Sequence, residues 1–315
     1  MYERLKTSNA FGFRGLATSA LGIAIVATSL TGANAADNAV KGKLWKDIGA
    51  SERVDFSGRL HMLSQRIAAS TCNLEAGVET TISKGILAAS SDEIDRIVKA
   101  LEFGNPLMKI IGEETNPRIM ANIAKINGQW TPIRATISDV VEDGGNSKGT
   151  YQEFEQWNVP FYEDANVLVS EVAAQYSDPA DLLQGDAILV DLAGRQRMRT
   201  QKLLKEACSI WKDAADQSEK DVLMETIGLF DRTLVALRDG APVIGIKAAP
   251  SEQISDALVK LTSDWDNTKP ALVTVAEGQV LPDNEITRVY LDLNEMLIKS
   301  NDIVTLYTKY AKHTY

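Results

Sequence analysis

Two cysteines and two histidines are all that this 315-residue chain offers to soft-metal or redox chemistry. Neither cysteine begins a Cys-x-x-Cys-His run, so covalent haem attachment is excluded. No Glu-x-x-His pair occurs, which removes the carboxylate-bridged di-iron bundle. No glycine-rich phosphate loop and no nucleophile-and-base arrangement stands out. We therefore expect no enzyme, with no catalytic residue, no cofactor and no metal. Basic residues are also in deficit: 33 Lys and Arg face 43 Asp and Glu, for a net charge of -10. Such a surface disfavours nucleic acid and anionic lipid, because each phosphate contact needs a cation. A small anion is not excluded, since it needs only one local positive pocket. The period-two alternation of half-buried strands is missing too. A hydrophobic fraction of 44% nevertheless rules out a mainly disordered chain.

Long apolar runs are absent with one exception, Leu16 to Leu30. Arg4, Lys6 and Arg14 precede or flank it, and Ala33, Asn34 and Ala35 follow with the small-x-small pattern of a cleavage site. Residues 1–36 read as an export signal, cut after Ala35. Thr, Ser and Gly dilute the run, which makes it a weak span against the ~20 apolar residues that a permanent membrane helix needs. Retention as an anchor is the alternative. With the leader gone the charge becomes -12, and we expect a periplasmic protein with no stable membrane insertion.

What the chain has instead is an internal repeat. Val54-Asp55-Phe56-Ser57-Gly58-Arg59-Leu60-His61-Met62 aligns with Val190-Asp191-Leu192-Ala193-Gly194-Arg195-Gln196-Arg197-Met198 at an offset of 136. The same offset pairs Gln65 with Gln201, Cys72 with Cys208, Asp95-Arg96 with Asp231-Arg232, and Gly104 and Pro106 with Gly240 and Pro242. After a slip of one residue, 135 pairs Lys125 with Lys260, Trp130 with Trp265 and Asn166 with Asn301. One register held over more than a hundred residues marks a duplication, with copy one at 44–178 and copy two at 179–315.

Within each copy the apolar spacing is helical. Leu60, Leu63, Ile67 and Leu74 follow a three-or-four step, as do Ile188, Leu192, Leu203 and Ile210. Breakers allow four helices per copy: Ser90-Ser91-Asp92, Asn116-Pro117 and Gly144-Gly145-Asn146 in copy one, and Asp178-Pro179, Pro250-Ser251-Glu252 and Pro282-Asp283-Asn284 in copy two. Gly104-Asn105-Pro106 and Gly240-Ala241-Pro242 should kink or end the second helix of each copy. The expected fold is all-α, two tandem up-and-down four-helix bundles related by a pseudo-twofold.

The segments Ser57-Gly58-Arg59-Leu60-His61-Met62-Leu63-Ser64-Gln65-Arg66 and Ala193-Gly194-Arg195-Gln196-Arg197-Met198 resemble the first-helix signature of the PilJ/NarX-type sensory domain. That domain is the periplasmic part of nitrate/nitrite sensor kinases and of type IV pilus chemotaxis transducers. Trp130 and Trp265, followed by Pro132 and Pro270, are similar to the family's third-helix pattern. The resemblance implies a sensory bundle that binds a small ligand where two first helices meet. In the family's nitrate sensors the signature Gly and the Arg three residues later line the anion site, which transfers to Gly194 and Arg197 in copy two, and to Gly58 and His61 in copy one. His61 departs from the pattern. A neutral imidazole lacks the fixed fork of donors that guanidinium offers an oxyanion, whereas a protonated one donates through both nitrogens.

The residues also admit a reading without the family. Gly58, His61 and Gln65 share one helical face, as do Gly194, Arg197 and Gln201, and a polar stripe beside a glycine suits a hydrogen-bonding guest. Against this, helix charges are often plain surface, and glycines can serve helix packing alone. In an oxidising compartment the two cysteines, at equivalent positions, are expected to pair as a Cys72–Cys208 disulfide across the pseudo-twofold; two buried free thiols are the alternative. Asp95-Arg96 and Asp231-Arg232 read as salt bridges, Trp130 and Trp265 as core anchors, Met62 and Met198 as packing residues. Two functions follow. One is a sensory module that binds a small molecule or small anion, nitrate or nitrite among the candidates, and acts through a separate membrane-bound receptor or kinase. The other is a structural or interaction protein of the envelope without a ligand. A closed apolar interface around Arg197 and His61 favours the second, a small polar cavity the first.

Overall fold

The computed structural model describes residues 49–142, 149–176, 184–212 and 216–313. The leader, the Gly144-Gly145-Asn146 loop and the Asp178-Pro179 boundary between copies lie outside them. The described residues form eight α-helices and two short 3-10 turns. Copy one comprises α1 (Ala50–Glu75), α2 (Thr80–Phe103), α3 (Pro117–Glu142) and α4 (Thr150–Tyr176). Copy two repeats them as α5 (Gln184–Lys212), α6 (Gln217–Asp239), α7 (Glu252–Ala276) and α8 (Asp283–His313). In each copy consecutive helices are neighbours and the fourth closes back on the first, which is the up-and-down ring. The copies join through their first helices, α1 against α5.

Local chemistry sets most boundaries. Pro117 opens α3, and the Asn116 Oδ1 ahead of it accepts the Arg118 amide at 2.9 Å. Ser251 Oγ accepts the Ile254 amide at the start of α7. Asp216 and Glu219 form a reciprocal capping box on α6, the D-x-x-E signature of a helix start. The glycine-proline segments end the second helices outright. Gly104 and Gly240 take φ of +77° and +82°, and a Cβ on either would lie within 2.6 Å of Gly112 O or 2.8 Å of Ala248 N. The chain then turns through Pro106–Met108 or Pro242–Ile244.

Two expectations are corrected. Ser90-Ser91-Asp92 does not break the chain; α2 runs through it. Ser90 and Ser91 are buried, so these small side chains serve close helix contact in place of a cap. The turn falls earlier, at Ala76 to Glu79, where Gly77 and Glu79 both have positive φ. On α5, Ile188 is exposed, and the inward face is made by Leu189, Ala193, Leu203, Leu204 and Ala207.

Each bundle has its own core, yet the cores meet at the α1/α5 seam. Met198 and Leu297 of copy two pack in the core of copy one, and Ala69 of copy one packs in that of copy two. Trp130 and Trp265 are buried anchors. Their indole N–H groups donate to Asp95 at 2.7 Å and Asp231 at 2.9 Å. The repeated acids thus serve the tryptophans and a cation on the third helix, Arg134 or Lys269, and their sequence neighbours Arg96 and Arg232 are not those cations.

Candidate functional site at the seam between the copies

Gly58, His61, Gln65 and Cys72 recur at steps of three, four and seven along α1, so they share one side of that helix, and the same holds for Gly194, Arg197, Gln201 and Cys208 on α5. The two sides meet in parallel. Asp55 reaches Arg197 near the start of the helices, Cys72 and Cys208 form a disulfide with Cα atoms 6.1 Å apart, and Glu75 meets Lys212 at the far end. Equivalent residues of the two copies therefore stand at equal heights on the seam.

Arg197 is the charged centre of this seam and is 3% exposed. Its Nη1 donates to Asp55 Oδ1 at 3.0 Å and to Asn301 Oδ1 on α8 at 3.1 Å. Its Nε, also buried, has no partner. Burial pulls the guanidinium pKa down while Asp55 pulls it up. Asp55 in turn takes Arg59 Nε on its other oxygen, and Arg59 reaches Glu93. Arg197 is thus held by a carboxylate from the other copy. The mirror-image contact is broken: Asp191, the equivalent of Asp55, pairs with Arg195 of its own helix on the exposed surface.

His61 explains the break. Its ring lies 4.0 Å from that of Tyr162 on α4, and its Nε2 is buried without a partner. Burial first, then the charges of Arg195 and Arg197, push its pKa down to about 4. The imidazole is neutral at pH 7 and gives Asp191 no cation.

The glycines leave room. A Cβ on Gly58 would make an ordinary 3.5 Å contact with Arg197 Nη2, and one on Gly194 would meet nothing within 4 Å. Neither glycine is demanded by close packing of α1 on α5. The glutamines diverge. Gln65 donates to Asn158 Oδ1 of α4 at 3.3 Å, while Asn158 donates to the Ser64 carbonyl at 2.7 Å. Asn158 also borders a small cavity in the core of copy one, lined by Ser64, Ile67, Trp130 and Phe161 among others. In copy two Leu293 takes the place of Asn158, and Gln201, fully buried, has no partner for either amide atom.

Arg197 is therefore buried in a polar interface, with open space beside it at Gly194. Several of its donors and acceptors are unsatisfied, each of which costs free energy when kept from water. Two participants were not singled out from the sequence as site residues. Asp55 lay in the aligned repeat, and Asn301 was paired with Asn166, but only the fold brings them to Arg197. A second buried ion pair was also missed: Arg53 donates to the Leu101 and Gly112 carbonyls and to Glu114, which Tyr176 Oη also bonds. Its equivalent in copy two is Leu189, so the repeat gave no signal of it.

Among the described residues no group of His, Cys, Asp and Glu could hold a metal ion, and no helix is long and apolar enough to cross a membrane. The family model described as the type IV pili methyl-accepting chemotaxis transducer N-terminal domain matches residues 43–152 and 181–289, one match per copy. No curated protein matches the chain.

Proposed function

Because the chain belongs to the family of type IV pilus methyl-accepting chemotaxis transducer N-terminal domains, we propose that it is a periplasmic sensory module which takes a small anion at the α1/α5 seam. The observation that carries this reading is Arg197, a buried guanidinium with an unsatisfied Nε beside two glycines that packing does not require. In the closed state Asp55 is its counterion. An entering anion would take over Arg197 and release Asp55 and Asn301, so ligand and carboxylate compete for one cation. Copy one supplies a neutral His61 at the matching place, so one anion per chain is expected. Binding would favour one packing of α1 on α5 over another, and a membrane-bound receptor or kinase would read the difference.

The test is a thermal-shift series with nitrate, nitrite and small carboxylates. An anion at 100 times its Kd stabilises the fold by about 2.7 kcal/mol. Arg197→Ala should abolish the shift, and Asp55→Asn, which removes the internal competitor, should lower the Kd. An absence of shift with every anion would remove the reading. One observation favours the other role: Asp55 already satisfies the charge of Arg197, as a purely structural interface requires. In that case Asp55→Asn destabilises the protein and no anion restores it.

A further inference from the structure

Arg66 on α1 is a partly buried cation on which no hydrogen bond or ion pair closes among the described residues, and its Nε is shut off from solvent. Its repeat equivalent is served within its own copy. Lys202 on α5 donates to Thr226 Oγ1 of α6 at 3.1 Å and pairs with Glu206, one turn on, at 3.3 Å. At the repeat offset those two partners become Ser90 and Ser70. The hydroxyl survives in Ser90, which is 1% exposed and unbonded, and the carboxylate does not. Copy one thus keeps the cation and the hydroxyl of this arrangement and lacks its anion.

Acceptors stand beside them. Burial lowers the guanidinium pKa of Arg66 and Glu93, one turn after Ser90 on α2, raises it; the ion pair of Glu93 itself is with Arg59 at 3.4 Å. On α8, Tyr290, Asn294 and Asn301 recur at steps of four and seven and so share one face. That face looks onto copy one. Tyr290 Oη bonds Ser83 Oγ of α2 at 3.0 Å and lies within electrostatic reach of Arg66, while Asn301 meets Asp55 through Arg197. Asn294 stands between these two points, as Glu93 and Arg59 do. Its Nδ2 donates to the Tyr290 carbonyl, and its Oδ1 is buried without a partner.

We infer that this niche between α1, α2 and α8 is a binding site for a free α-amino acid, with the carboxylate on Arg66 and Ser90 and the ammonium on Glu93 and Asn294. Guanidinium offers a carboxylate a fixed pair of donors, and the Ser90 hydroxyl adds a third. A carboxylate and an amide oxygen only accept, as an ammonium requires. Positive and negative charge balance here, so a simple anion is repelled by Glu93, whereas a zwitterion is attracted at both ends. Unbonded polar atoms from three helices are each costly to bury, and one guest satisfies all of them. Glu93 is 24% exposed and marks the way in from solvent. Copy two has no counterpart, because Glu206 already serves Lys202 and Leu229 stands at the place of Glu93. The site is separate from the anion at Arg197 and does not rest on it.

The test is titration calorimetry of the protein with glycine, alanine, serine, leucine, glutamine and glutamate in turn. At least one should bind, at one per chain. In the Arg197→Ala protein, whose seam no longer takes an anion, that amino acid should still bind, and acetate should bind at least about tenfold more weakly. Arg66→Gln should abolish binding. Ser70→Glu, which writes the carboxylate of copy two into copy one, should abolish it too while keeping or raising the melting temperature, so that the loss is not a loss of fold. Glu93→Gln should weaken binding about tenfold or more. Binding of none of the six, or binding that either Arg66→Gln or Ser70→Glu leaves unchanged, overturns the inference. So does binding that Arg197→Ala removes, which would assign the amino acid to the seam. Failure of nitrate and nitrite to shift the melting curve counts against the seam alone.

Discussion

At position 61 a histidine stands where the equivalent helix has Arg197, and its burial decides the charge of the seam. A second arginine there would place two buried guanidiniums at one height. The neutral imidazole avoids that repulsion and packs on Tyr162 instead. Its pKa of about 4 in the folded state, against 6.5 in an unfolded chain, makes it a proton-linked element. Between these values the unfolded chain binds more protons, so stability falls as pH drops through the window and the loss is complete below about pH 4. From pH 7 to pH 5 the cost from this residue is on the order of 2 kcal/mol. Urea titrations at both pH values, with His61→Gln alongside, should show the variant losing less stability by about that amount. Equal losses would mean that His61 is already charged or solvated in the native protein.

At the scale of helix pairs, the two copies use one sequence pattern with unequal success. Between α1 and α4, Gln65, Asn158 and the Ser64 carbonyl bond one another. Between α5 and α8, Leu293 replaces the asparagine and Gln201, fully buried, is left unbonded. A buried amide without partners costs about 1–3 kcal/mol, and an apolar side chain of similar shape avoids that cost. Gln201→Met should therefore raise the unfolding free energy by about 1–2 kcal/mol, while Gln65→Met should lower it by a similar amount because Asn158 loses its donor. Chemical denaturation of the two variants measures both. A loss of stability in Gln201→Met would show that the amide is satisfied by water in solution. Gain of stability together with loss of anion response would tie Gln201 to sensing, since residues kept for function are those that packing alone would replace.

For the molecule as a whole, one covalent bond and one seam make two bundles a single body. Cys72 and Cys208 are fully buried and close a loop of 136 residues. In the chain-entropy account a loop of that length restricts the unfolded state by about 5 kcal/mol. Loss of the bond in the Cys72→Ala, Cys208→Ala protein should lower stability by about 3–5 kcal/mol while leaving each helical ring formed. Far-ultraviolet circular dichroism during urea unfolding would follow this. A single transition at lower urea means that the α1/α5 packing still couples the copies; two transitions mean that the disulfide was the coupling. A change under about 1 kcal/mol would show that seam contacts, including Met198 and Leu297 in the partner core, hold the copies unaided.

The architecture was legible in the sequence because duplication and helical periodicity are local, repeated signals. The offset of 136 aligned the signature helices, Asn116-Pro117 and Pro250-Ser251 marked helix starts, and the glycine-proline pairs marked helix ends. Composition misled where local propensity met burial: Ser90-Ser91-Asp92 reads as a cap, but inside a bundle small buried serines suit a helix contact. Spacing put Gly58, His61 and Gln65 on one helix face and Gly194, Arg197 and Gln201 on another; the fold brings Gly58 and His61 close to Arg197, while Gln65 turns to Asn158 of α4. Only the tertiary structure decided that Asp55 and Asn301 hold Arg197, that Asp95 and Asp231 serve tryptophans, and that Gln201 lacks the partner Gln65 has. Each depends on which helix lies across from which, and neighbours in space that are 34 to 142 positions apart leave no periodic trace in the chain. The sequence by itself determined two copies of a helical ring and the faces that would meet. How charge is balanced between those faces depended on packing, because a buried ion takes its counterion from whatever element the fold brings within reach.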